Sequence, residues 1–469
     1  MKISIDTHMK YFLFLITLSL ILGSGRSSAQ SAKNPHRVYE LSRIWKDMSE
    51  NFHDPHVLKT IGWDSIYCDY ISKVQEVKSD KEYYFLLQKF MACGNDGHTE
   101  LVSLGRYNFN YPTTGALPVD GIWVGSKFHI YLIDTGTIKN IPLGSEIVKI
   151  NGQSTLAYFQ EHIFPYVSAK TLQDKKKKSC MFFPAGNAGD SLALTIRTDK
   201  KTEKTTDIQV AYKPIAEIDR RNFIQIPGIG GSQTDSYLVP DSLYPYYYLR
   251  LDQFDSGFNM RKWMSDAKER SGEAKYVILD LRNNVGGSEL KADSLLMSFL
   301  DIDTLRTYPS LIRQHQAYFC AQGFSGNAGK VNKEYYEGLH CDTIPAETLA
   351  KENLPFIDKP LYVLISGTTA SAAEDFLIAL KLHHPDRAVL VGTPTAATTG
   401  APLVRELSEG MYYRICTRRP LLPDGMFDQG IQPDAKYEPV IEDYMEGPDG
   451  VYDFVKSLYV KSLKNKAAN

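Results

Sequence analysis

The spacing of apolar residues changes character along the chain, and each change marks a different kind of element. From residue 38 to about 92 the intervals are helical. In VYELSRIWKDMSENF the apolar residues Val38, Leu41, Ile44, Trp45 and Met48 fall three or four apart, on one helix face. EYYFLLQKFMAC repeats the pattern, and no glycine interrupts Val38 to Thr60. From about 112 to 213, β-branched and aromatic runs alternate with Gly, Asn, Asp and Lys. KFHIYLID (127–134), SEIVKING (145–152), DSLALTIRT (190–198) and TTDIQVAYK (205–213) predict strands joined by turns. The lysine run 175–178 reads as a solvated loop.

From about 244 onward the two periods alternate. YYYLRLDQF is followed by a helical FNMRKWMSDAKER and then by the apolar run YVILDLR (276–282). PLYVLISG (360–367), SAAEDFLIALKLH (371–383) and AVLVG (388–392) repeat strand, helix, strand. Runs that are apolar throughout suit strands covered on both faces, so this region predicts a largely parallel sheet with helices over it. Residues 306–355 break the alternation and read as an insertion. The fold class is therefore α/β and multidomain: an N-terminal helical region, a β-rich region and an α/β core. The expected boundaries are 30–111, 112–213 and 214–469.

The N-terminus stands apart. Lys2 and Lys10 give a basic start, Tyr11 to Leu22 is mostly apolar, and GSGRSSAQ follows with small residues. The apolar run is shorter than the roughly 20 residues of a membrane-spanning helix. Residues 1–29 therefore predict a signal peptide cut after Ala29, with an uncleaved anchor as the alternative. Composition adds one exclusion. With 53 Lys+Arg against 55 Asp+Glu, the net charge of −2 gives no reason to expect nucleic acid. Export would permit cysteine pairing, and of the six cysteines Cys320 and Cys341 bracket a polar stretch as the expected bridge, with six free buried thiols as the alternative. No CxxC occurs, so no structural zinc site is expected.

Three places in the sequence suit catalysis. Ser371 follows a buried strand and opens an apolar-faced helix, where the helix dipole and the N–H of Ala372 favour a developing oxyanion. The same position also suits a plain N-cap. Asp280-Leu-Arg-Asn-Asn-Val-Gly286-Gly287 ends a buried strand in paired glycines, which allow close backbone approach; an ordinary turn has the same look. His98, in Asp96-Gly97-His98-Thr99, lies between the helical and β-rich regions, free to serve as a base with an ordinary pKa near ~6.5. His53, His56 and His383-His384 lack metal-ligand spacing and read as surface residues.

Together these motifs resemble the C-terminal processing and tricorn-core serine peptidases. DLRNNVGG (280–287) and GTTASAAE (367–374) carry the resemblance, with DGHT (96–99) and GIQPD (430–434) in support. IPLGSEIVKING (141–152) resembles part of a PDZ-like domain. The resemblance implies an exported serine endopeptidase with a crotonase-like core, acting on proteins or peptides and needing no cofactor or metal. By position, Ser371 matches the nucleophile, and Ala372 with Gly286 or Gly287 matches the oxyanion donors. His98 matches the base of the tricorn-like branch and Asp428 its supporting acid. The chain departs from the family at four points: Asp428 stands where the tricorn branch usually has glutamate, the PDZ-like stretch shows no clear Gly-Leu-Gly-Phe loop, and two more concern the base. No lysine follows Gly392, where the processing branch has its base, and Gly97 stands where the tricorn branch often has serine. A binding protein on the same scaffold is the rival reading, with the tyrosine-rich segment Tyr244 to Tyr248 as its contact surface.

Overall fold

The computed structural model describes residues 28–102, 113–198, 204–445 and 449–468, with breaks at 228, 230–232, 256, most of 314–327 and 351–354. The expected signal peptide, apart from its last two residues, lies outside the described residues. So does Cys320, and with it the expected bridge to Cys341.

Four helices open the chain: α1 (Ser28–Asn51), α2 (Pro55–Ile61), α3 (Trp63–Glu76) and α4 (Asp80–Ala92). Asp54 caps α2 by accepting from His56 N and Val57 N, and proline fills the first helical position, where no N–H is needed. The helical stripe Leu41, Ile44 and Met48 is fully buried. It packs with Leu87, Phe90 and, from far along the chain, Tyr413 and Ile415. The short strand β1 (Glu100–Val102) continues the join: it pairs antiparallel with Tyr412–Cys416, Leu101 opposite Tyr413. The helical region is thus sewn onto the C-terminal part of the chain.

The β-rich region forms an antiparallel sheet. Its strands are β2 (Val119–Val124), β3 (Lys127–Asp134), β4 (Glu146–Ile150), β5 (Ser191–Arg197), β6 (Thr205–Ala211) and β7 (Phe223–Gln225). Alternate residues Ile130, Ile147, Ile150, Leu194 and Ile196 face a core that also holds Phe128, Phe159 and Phe183. Two helices, α5 (Thr155–His162) and α6 (Leu172–Ser179), cross this region. Helix α6 corrects the reading of the lysine run as a loop. Thr171 Oγ1 caps it by accepting from Asp174 N, and the cations Lys176 to Lys178 occupy the last turn, where the helix dipole favours positive charge.

The third region is a six-stranded, mostly parallel sheet. Strand β8 (Thr234–Val239) runs antiparallel to β9 (Tyr246–Leu251). Strands β10 (Tyr276–Asp280), β11 (Leu361–Ile365), β12 (Ala388–Gly392) and β13 (Ala435–Lys436) then continue parallel to β9. Every residue of β10 and β11 is buried, as their unbroken apolar runs require. Helices α7 (Met260–Arg270), α8 (Glu289–Met297) and α9 (Ala372–His383) pack on one face. Helix α10 (Gly450–Ala468) packs on the other, against Tyr276, Tyr362 and Val391. Tyr247 and Tyr248 are buried inside this sandwich, and Tyr246 stacks on Tyr276. Tyr247 and Tyr248 are therefore core, while Tyr244 and Tyr246 stay half-buried, which leaves little of the segment as a contact surface. Within 306–355, Ser310–Ile312 pairs with Asp342–Ile344 and with Arg418–Pro420.

Candidate active site

Three loops leave the carboxyl ends of neighbouring parallel strands, where open α/β sheets place their ligand crevices. Residues 281–288 follow β10, 366–371 follow β11 and 393–398 follow β12. Ser371 ends the second loop as the N-cap of α9. Its backbone sits at φ 57°, ψ −127°, a conformation that costs a non-glycine residue on the order of 1–3 kcal/mol. Ser371 also forms a capping box with Glu374, whose carboxylate accepts from Ser371 N, so the N-cap role and a catalytic one coexist at this position. Ser371 Oγ lies 3.2 Å from His98 Nε2.

His98 arrives from the other end of the chain and is 7% exposed. Its Nδ1 lies 2.7 Å from Thr398 Oγ1. With the proton on Nδ1 donated to Thr398, Nε2 keeps its lone pair toward Ser371, the arrangement a general base requires. Burial, then the cations Arg414 and Lys178, hold the imidazole down to about 4 against the opposing pull of Asp96 and Glu100. The ring is neutral at physiological pH. The sequence expectation of an ordinary histidine pKa is corrected accordingly: desolvation penalises the imidazolium.

Around this pair the loops are cross-braced. Asp96 Oδ1 accepts from His98 N at 2.9 Å and from Thr99 Oγ1 at 2.8 Å. Glu374, buried in the first turn of α9, accepts from Thr395 Oγ1 (2.6 Å), Ala397 N (2.8 Å), Thr398 N (2.9 Å) and Ser371 N (3.3 Å). One carboxyl group thus ties the serine turn to the loop that carries Thr398. Burial pushes it up to about 8 despite these donors.

Two expected roles change. Asp428 is exposed on the loop before Gly430, and Thr398 takes the Nδ1 position expected for an acid. The sequence order near GIQPD placed Asp428 by analogy, but its side chain points to solvent. Gly286 N donates to Asn284 Oδ1 at 2.8 Å, so that N–H is already used. The N–H groups of Gly287 and Ala372 have no intramolecular acceptor recorded among the described residues. Gly286 matters through its bareness: a Cβ there would stand 2.4 Å from Ser371 Cβ. Gly97 is explained the same way, since a Cβ would meet Thr398 Oγ1 at 2.6 Å and Asp174 Oδ2 at 2.9 Å.

Thr398 and Glu374 had little signal in the sequence. Glu374 is the third residue after an N-cap serine, the spacing of a capping box, on a helix otherwise apolar on that side. Nothing in the sequence marks Thr398. Potential metal ligands gather once among the described residues, at His53, Asp96 and Cys416. They are engaged with protein: His53 Nε2 lies 3.2 Å from Asp96 Oδ2, and Cys416 Sγ donates to Arg418 O at 3.2 Å. A cavity of about 2300 Å³ opens over Ser371, lined among others by Val285, Gly287, Leu172, Trp123 and Lys177.

The chain is similar to known proteins along much of its length. The Carboxy-terminal processing protease CtpA of Bacillus subtilis is 29% identical over 185 residues, covering 39% of this chain and 32% of that protein. A Carboxyl-terminal-processing peptidase of Arabidopsis thaliana is 27% identical over 203 residues, 42% of this chain and 35% of its own length. The matches thus span about a third of these two relatives. The Carboxyl-terminal-processing protease of Picosynechococcus is 25% identical over 84% of this chain and 81% of its own. Among solved structures, mature CPAF complexed with lactacystin superposes with a TM-score of 0.69 at 16% identity, over 92% of this chain and 99% of that one, a likeness of fold. Residues 246–437, which hold Ser371, the glycine loop and the Thr398 loop, match the model of Peptidase family S41.

Proposed function

We propose that this protein is an exported serine endopeptidase that cleaves peptide bonds through an acyl-enzyme on Ser371, with His98 as general base. The observation that carries the reading is the 3.2 Å approach of His98 Nε2 to a serine hydroxyl held in a strained turn. Ser371 Oγ attacks the scissile carbonyl carbon as its proton passes to His98 Nε2. The carbonyl oxygen becomes the oxyanion, received by the N–H groups of Ala372, at the start of α9, and of Gly287, in the loop after β10. His98 then returns the proton to the leaving amine. Water, deprotonated by the same nitrogen, releases the acyl group and restores the serine.

The relatives' names supply the substrate class: proteins or peptides processed near the carboxyl terminus. Export rests on the N-terminal sequence, and among the described residues no helix is long and apolar enough to cross a membrane. The three regions are assigned as an N-terminal helical region to residue 111, a PDZ-like domain from 112, whose sheet runs past the expected boundary at 213 to take in Phe223–Gln225, and a crotonase-like catalytic domain beyond. A fluorophosphonate probe tests the reading. Labelling at Ser371, lost in Ser371→Ala, is expected; an unlabelled, folded wild-type protein would overturn it.

A further inference from the structure

The lysine run on α6 lies beside His98, although it belongs to a different region of the chain. Lys178 Nζ donates to Gly97 O at 2.7 Å and to Ser168 O at 3.0 Å. Gly97 O and His98 N belong to one planar peptide unit. Its N–H end is held by Asp96 Oδ1 at 2.9 Å, and its C=O end by Lys178, with Arg414 Nη2 at 3.5 Å as a weaker second donor. With both ends fixed, the plane that sets the His98 Cα–Cβ direction is fixed. Helix α6 is itself anchored to the catalytic loops. Thr171 Oγ1 donates to Ala396 O at 3.0 Å, and Gln173 packs against Gly367.

We propose that Lys178 is a positioning residue for His98, so that the docking of α6 from the β-rich region sets whether the base is competent. The inference rests on the reading of His98 as the base. It also carries an electrostatic signature. His98 faces Arg414, Asp96, Lys178 and Glu100, and Lys178 itself lies 3.5 Å from Glu100 and 3.6 Å from Asp174. The Lys178 cation is one of the groups that hold the imidazole pKa down. Removing it therefore does two separable things: it frees the Gly97 carbonyl, and it raises the His98 titration toward the ordinary value.

The test uses Lys178→Met, which keeps length without charge, and Lys178→Arg, which keeps both charge and donor capacity. Two readouts are taken on the full chain: the fluorophosphonate labelling rate, and the His98 titration midpoint followed by NMR of the ring. Lys178→Met is expected to slow labelling about tenfold or more through misplacement of the base and to raise the midpoint, while Lys178→Arg restores both. An unmoved midpoint in Lys178→Met would overturn the inference, as would slowed labelling that only follows a lower unfolding temperature. If Lys178→Met does not fold, Lys178→Gln is read in the same way. Should the wild type not label at all, the peptidase reading fails, yet the midpoint comparison still decides whether Lys178 is coupled to His98.

Discussion

Thr398→Val is the sharpest perturbation of the site. Valine keeps the β-branched shape and its preferred rotamers, so the loop that carries it is left in place. The backbone bonds of residue 398, its N–H to Glu374 and its C=O to Ser371 N at 2.8 Å, are untouched. Only the hydroxyl 2.7 Å from His98 Nδ1 is lost. The Nδ1–H group, on a histidine that is 7% exposed, is then left without a partner, at a cost of about 1–3 kcal/mol. If that cost falls on the productive ring orientation, kcat/KM drops roughly 5- to 150-fold, since about 1.4 kcal/mol is a factor of ten. The assay is the second-order rate of fluorophosphonate labelling beside hydrolysis of a fluorogenic peptide library pool. Asp428→Asn, at an exposed position, serves as the comparison and is expected to match wild type. Wild-type rates in Thr398→Val together with a deficit in Asp428→Asn would refute the assignment of Thr398 as the group that orients the base.

Three further outcomes follow from the same geometry. Ser371→Ala is expected to abolish hydrolysis and labelling with the fold retained, as judged by circular dichroism; full activity in the purified variant would sink the nucleophile assignment. Because His98 must be neutral to accept a proton and its pKa is held down to about 4, kcat/KM should stay level as pH falls through 6.5 and decline only on approaching 4. A limb at the ordinary histidine value would show that the ring is not buried as described. Asn284→Ala removes the acceptor of Gly286 N and the donor to Leu251 O at 2.8 Å, leaving two buried groups unpaired. It is expected to lower thermal stability by about 1–3 kcal/mol and to slow acylation, and unchanged labelling would argue against an oxyanion role for the glycine loop.

Much of the fold was legible in the sequence because it depends on local periodicity. The apolar runs at 276–282, 360–367 and 388–392 contain the buried parallel strands, and the stripe Leu41, Ile44, Met48 contains the helix face. Ser371 was legible because a strand–turn–helix junction is a local event. The residues that complete the site were not, since each acts across the chain. Thr398 meets His98 across 300 positions, and no propensity links them. Asp428 was placed by motif order, which says nothing about side-chain direction. The lysine run looked solvated because four like charges in a row usually are. Helical winding instead sets Asp174 and Lys178 on one face, i and i+4, turned toward the base.

The pairing of Glu100–Val102 with Tyr412–Cys416 has a consequence for timing. His98 stands two residues ahead of that strand, so the strand's register sets the distance from imidazole to serine. A slip of one residue would carry the ring about 3.3 Å along the strand and turn Leu101 out of the core. The partner strand lies beyond Ser371 in the chain. A chain not yet extended to that strand therefore lacks the pairing that sets His98 beside Ser371. The approach of imidazole to serine waits until Tyr412–Cys416 has been made and has found its register.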